Sequence, residues 1–219
     1  MGEQDTAAYW DGVHTAGVAE RSWFQREPAR SLAMLERARV TPADSVIDVG
    51  GGASPLAGAL VDRGFGDVTV LDISPAAIRL AWRDLGTRAG QVHWLVADLR
   101  GWQPERRYAA WHDRAVLHFM ATAADQRQYA QALDHATGPG AIAVIGCFAP
   151  DGPPDCSGLP VARYGPADLG GLLGDGWTLI AADREEHRTP AADVQPFTWA
   201  ALRKAGQAPG PPAHGSGRG

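Results

Sequence analysis

The stretch that most constrains the fold is Val46-Ile47-Asp48-Val49, an apolar run with one carboxylate that ends in Gly50-Gly51-Gly52. A second run, Val68-Thr69-Val70-Leu71, ends in Asp72. Both read as buried parallel strands, and the 20 positions from Gly52 to Asp72 leave room for one helix between them. Glycines at a strand-to-helix turn let the backbone approach a ligand, and a carboxylate ending the next strand can take a ribose diol. The pattern predicts a nucleotide-type site at the carboxyl ends of a parallel sheet.

The rest of the chain alternates in the same way. Helices are predicted over 28–39, 54–64, 75–86 and 125–136, the second and third opened by Ser-Pro pairs and closed by Gly64 and Gly86. Strands are predicted over 46–49, 68–71, 92–96, about 108–112 and 141–148. The last third has a Pro- and Gly-rich loop over 149–165, a short helix over 166–173, and strands near 177–184 and 195–203 with no helix between them. The reading is a Rossmann-like α/β fold: a doubly wound, seven-stranded sheet, mostly parallel, closed by a C-terminal antiparallel hairpin. We expect a single domain over 1–204, with an aromatic lid over about 5–30 and a disordered tail over 205–219.

Charge and composition exclude several classes. The net charge of −5, with one lysine (Lys204), offers no global basic field for nucleic acid or anionic membrane. No run approaches the roughly 18 apolar residues of a membrane helix, and the polar stretch Met1 to Asp11 does not read as a signal peptide. Cys147 and Cys156 make no metal-ligand pattern with the histidines, so no metal and a reduced, cytoplasmic setting are expected.

Three ligands compete for the glycine turn. Pro55 stands where a dinucleotide site needs its third glycine, and no Gly-Lys-Ser/Thr follows to hold phosphates and magnesium. S-adenosylmethionine (SAM) carries no phosphate and needs only close backbone approach. Asp48-Val49-Gly50-Gly51-Gly52 resembles motif I of class I SAM-dependent methyltransferases, with Asp72 at its ribose-binding position. Ala97-Asp98-Leu99 resembles the segment that holds the adenine in that family, and Pro139-Gly140 before strand 5 is typical of it. The resemblance covers residues 9–204. It implies SAM as cofactor and S-adenosylhomocysteine (SAH) as product, held by Trp23, Phe24, Asp48, Gly50, Gly51, Gly52, Asp72, Ile73, Asp98, Leu99 and His112. Each piece also has a plain structural reading: a tight turn, a helix N-terminal charge, a turn aspartate.

The acceptor side is expected beyond strand 4, at Trp111-His112-Asp113-Arg114-Ala115-Val116-Leu117-His118-Phe119. Asp113-Arg114-Ala115 resembles the Asp-Arg-Gly element of thiopurine methyltransferases, where the arginine lies at the substrate, and an Asp/Glu-Lys-Gly element of eukaryotic lysine methyltransferases; Ala115 replaces the glycine of both. Catalytic candidates are therefore Asp113, Arg114 and His112. Arg114 suits an anionic acceptor or an ion pair with Asp113, and His112 a base. His118 is read as a base or, preferably, a satisfied helix histidine. The Tyr9-Trp10 and Trp23-Phe24 pairs resemble the lid aromatics of related families, with Trp10 read as packing. The loop over 149–165 is read as a second acceptor wall. The whole pattern resembles a widespread set of small bacterial class I methyltransferases. The expected activity is methyl transfer to a small-molecule nucleophile, a thiol or other chalcogen first. Alternatives are a protein-lysine methyltransferase and a non-catalytic SAM-binding protein.

Overall fold

A computed structural model describes residues 3–17 and 21–206. The tail expected over 205–219 therefore lies outside the described residues, apart from Ala205 and Gly206.

In chain order the elements are α1 (Glu3–Thr15), α2 (Ala29–Arg37), β1 (Val46–Val49), α3 (Leu56–Val61), β2 (Val68–Asp72), α4 (Pro75–Leu85), β3 (Val92–Val96), β4 (Tyr108–Arg114), α5 (Ala123–Ala136) and β5 (Thr137–Phe148). A two-residue ribbon follows, β6 (Asp155–Cys156) with β7 (Leu159–Pro160), then α6 (Pro166–Leu173), β8 (Trp177–Arg188) and β9 (Val194–Lys204). Short 3-10 turns span Gly86–Gln91 and Leu117–Phe119. The main sheet has seven strands in the order β3-β2-β1-β4-β5-β9-β8, parallel except for β9, which is antiparallel to both β5 and β8. The doubly wound sheet with a terminal hairpin is present as expected from the alternation.

Strand alternation sorts the core into two layers. Val46, Val70, Ala110, Val144, Trp199 and Ala201 face α2, α3 and α4. Ile47, Leu71, Trp111, Ile145, Ala200 and Leu202 face α5 and α6. On the first face the apolar rows become ionisable two residues further along each strand: Val46 gives way to Asp48, Val70 to Asp72, and Ala110 to His112 and then Arg114. The sheet's own period thus lifts a row of polar groups out of the core at the strands' carboxyl ends, where open α/β sheets hold ligands.

Several elements differ from expectation, β5 beginning at Thr137, β8 running to Arg188 and the β6–β7 ribbon among them. Helix α3 is six residues long, because turns take over the last part of its span, where Gly64 adopts φ +84° and the Phe65 N–H reaches back to the Leu60 carbonyl. β4 runs on to Arg114, paired with β5 from Ala110 onward after a register shift at its start. Residues 3–15 form a helix that no marked amphipathic period announces; it docks on α4 instead, where Asp11 Oδ1 accepts from the Ser74 hydroxyl (2.5 Å) and the Ala76 N–H (2.9 Å). Ser74 caps α4 in turn, accepting from the Ala77 N–H.

Candidate active site

The carboxyl ends of β1, β2, β3 and β4 floor a cavity of about 530 Å³, roofed by α1 and by residues 23–25. The turn after β1 sits tightly in it. Gly50 adopts φ +65°, and a Cβ there would fall 2.1 Å from Val116 Cγ2. A Cβ on Gly51 would fall 2.1 Å from Asp48 Oδ2. Gly52 does not line the cavity; it is pressed against Ala77 and donates its N–H to Asp72 Oδ2 at 3.0 Å. Its role is to seat Asp72, a correction to its reading as a direct ligand contact.

Asp72 is buried but lines the cavity, its other oxygen accepting from the Ser74 N–H at 2.8 Å. Burial pushes its carboxyl up to about 6, against the opposing pull of those two N–H groups. Ile73 and Leu99 line the same end. So does Asp98, held in a fork by Arg100 at 2.5–3.1 Å. Arg100 also reaches Thr6 on α1.

At the other end, Asp48 Oδ1 meets His112 Nδ1 at 2.7 Å, with both side chains buried. Neighbouring positions on β1 and β4 impose this pairing. A proton on Nδ1 leaves His112 Nε2 as an open acceptor. Arg114 Nη1 donates to the Trp23 carbonyl (2.8 Å), while its carbon terminus lies 5.1 Å from the centre of the Phe197 ring. Burial pulls the guanidinium down to about 10, with Glu185, Cys156 and Asp48 opposing. Trp23 and Phe24 both line the cavity. His187 Nε2 donates to the Ser22 carbonyl, and Gln25 donates to Glu185. These contacts clasp residues 22–25 onto β4 and β8.

Two expectations on strand 4 are corrected. Asp113 lies on the opposite face from Arg114, outside the cavity. Its carboxylate accepts from the Val116 and Leu117 N–H groups and the Tyr129 hydroxyl at 2.7–3.0 Å. It is a bracket for the turn after β4, and neither a catalytic group nor the ion-pair partner of Arg114. His118 is buried among Phe119, Phe148 and Phe197, and neither of its nitrogens has a partner among the described residues. Burial and Arg114 pull it down to about 3, so it is neither a base nor a satisfied helix histidine.

Other residues entered the wall unannounced. Trp10, read as packing, lines the cavity and meets Phe119 edge-on at 5.0 Å. His14 and Gln25 also line it; their only sequence signal was proximity to the two aromatic pairs. Of the 149–165 loop, only Leu159 and Pro160 reach the cavity. Tyr9 on α1 donates its hydroxyl to the Ser157 carbonyl at the ribbon's tip.

Residues 46–140 match a family model described as a methyltransferase domain. Among solved structures, one from work on the conversion of a disulfide bond into a thioacetal group during echinomycin biosynthesis is 26% identical, with a TM-score of 0.72, covering 92% of this chain and 94% of that one. A SAM-dependent methyltransferase from Anabaena variabilis is 13% identical, with a TM-score of 0.72 and the same coverages. A 1,6-didemethyltoxoflavin-N1-methyltransferase from Burkholderia thailandensis, with SAH bound, is 19% identical, with a TM-score of 0.65, covering 94% of this chain and 91% of that one. No curated protein matches the sequence. The sheet order and this domain define a class I methyltransferase fold. Residues 46–140 are a methyltransferase domain, set in the fold of SAM-dependent class I methyltransferases.

Proposed function

We propose that the cavity binds SAM and moves its methyl group to a small-molecule nucleophile, with a thiol or other chalcogen as the leading acceptor. The observation that carries this reading is a cluster of buried polar atoms without partners among the described residues. Asp48 Oδ2, His112 Nε2, Arg114 Nε and Nη2, Trp23 Nε1 and His14 Nδ1 all belong to cavity-lining residues. Native interiors seldom leave such atoms unpaired, so the cluster fits a polar ligand. Asp48 Oδ2 suits the ammonium of an amino-acid end, Asp72 a ribose diol, and Asp98 with Leu99 an adenine edge.

When bound, SAM supplies a sulfonium methyl that a nucleophile displaces in line. The chain's own residues then need to align the acceptor at roughly 3–3.5 Å and exclude water. Trp23 and Phe24 present aromatic faces to a cation, worth about 0.5–2 kcal/mol. His112, oriented by Asp48, takes a proton at Nε2 if the acceptor carries one. Arg114 holds an anionic group of the acceptor with its two open donors. A thiol needs the least help with its proton, and one similar structure comes from work on the conversion of a disulfide bond into a thioacetal group.

A transfer assay with labelled SAM and a panel of thiols, amines and hydroxyl compounds tests the proposal. Turnover of a thiol, lost in Arg114→Ala with SAH affinity retained, is the expected result. Turnover of amines alone would overturn the sulfur assignment, and loss of SAH binding in that variant would move Arg114 to the cofactor.

A further inference from the structure

A second concavity, of about 510 Å³, opens at the opposite pole of the sheet, at the amino ends of the parallel strands. Three arginines border it: Arg39 from the turn after α2, Arg107 just before β4, and Arg203 on β9. They come from three distant parts of the chain, so the topology gathers them rather than a local basic run. Among the described residues, none of the three guanidiniums has an ion-pair or hydrogen-bond partner. Some other surface arginines do: Arg30, Arg88, Arg106 and Arg184 each meet a carboxylate.

The concavity is lined by backbone turns as well as by these arginines. Its floor includes the Gly138-Pro139-Gly140 turn, and the Arg107 stem lies 3.8 Å from the place a Cβ on Gly138 would take. Arg39 closes α2 in a position that favours glycine. Its φ is +64°, its N–H bonds the Glu36 carbonyl, and the Val40 N–H bonds that of Leu35. An arginine held there at a backbone cost points to use of its side chain. The one acidic group on the rim, Asp44, spends Oδ2 on the Thr41 N–H and hydroxyl at 2.7 and 2.8 Å.

We propose that this concavity is a binding site for a compact polyanion, either free phosphate or the phosphoryl group of a small molecule. Three cations around one concavity exceed what a single carboxylate neutralises, and guanidinium forks match phosphate oxygens. A confined basic concavity on a chain of net charge −5 favours a compact anion over an extended polyelectrolyte.

Calorimetric titration with pyrophosphate at fixed ionic strength tests this, with SAH titration on the same samples as a control. One saturable site per chain is expected, weakened by about tenfold or more in the Arg107→Ala/Arg203→Ala double variant, with SAH affinity unchanged. Arg39→Gly should weaken pyrophosphate binding while raising the melting temperature, since it relaxes the left-handed residue. Tighter binding of glucose 6-phosphate than of inorganic phosphate would identify a phosphorylated small molecule; equal or weaker binding would identify the free anion. No saturable binding of pyrophosphate, or binding unchanged in the double variant, would overturn the proposal, whatever SAH does.

Discussion

Asp113 and Arg114 are neighbours in the chain, yet they serve opposite faces of the sheet. Arg114 shares its face with His112 and the cavity; Asp113 shares its face with Trp111 and holds three donors of the protein's own. Removing that carboxylate strands two N–H groups and a phenol. Asp113→Ala is therefore expected to cost about 2–4 kcal/mol of stability. Chemical denaturation would measure the loss, and SAH affinity of the folded fraction should stay unchanged; a variant as stable as the parent but unable to bind SAH would contradict the bracket role. His118 sets a pH dependence of defined sign. Its folded value of about 3 lies below the ordinary 6.5, so the unfolded chain takes the proton first as pH falls. Stability from this residue is full above about 6.5 and is lost progressively toward 3. Thermal melts of His118→Phe against the parent should differ more in the variant's favour at pH 5 than at pH 7.5; a difference independent of pH would contradict its buried, neutral state.

At the scale of elements, the turn after β4 and helix α1 carry most of what shapes the cavity. Ala115 follows Arg114 at φ +70°, a conformation that costs an alanine about 1–2 kcal/mol and a glycine little. Related families have glycine there, so the departure in sequence is a strain in the structure. Ala115→Gly is expected to raise stability by about 1 kcal/mol in denaturant unfolding, and a clear loss would show that the methyl group's packing outweighs the strain. Helix α1 is fastened by Asp11 to the start of α4, by Thr6 to Arg100 and by Tyr9 to the ribbon. Burial works against the Asp11 carboxylate, but the Ser74 hydroxyl and the Ala76 N–H hold it below its usual range. Asp11→Ala should speed hydrogen exchange throughout α1 and weaken SAH binding; unchanged exchange would mean that the aromatic contacts alone hold the helix.

Across the whole molecule, the sequence-legible part was the part governed by short periods. Buried strands, the glycine turn and Asp72 follow from local pattern, and so does the alternation that gives the sheet its order. The cavity's roof was less legible. Helix α1 carries no strong apolar stripe because it lies over a mixed surface, polar at Ser74 and aromatic at Phe119. Strand 4 extends two residues past the end its local pattern marks, and alternation there puts positions 112 and 114 on one face and 113 on the other. Glu185 and His187, which clasp the Trp23 segment, lie some 160 residues from their partners, and no local signal could join them. The Arg39, Arg107 and Arg203 concavity was invisible for the same reason.

The most direct test of the SAM-dependent reading is calorimetric titration of the protein and of Asp72→Ala with SAM and SAH. Saturable one-to-one binding of both ligands to the parent, weakened by about 1–3 kcal/mol in the variant, is the expected result. Binding of neither ligand, or equal binding by parent and variant, would contradict the assignment of this cavity.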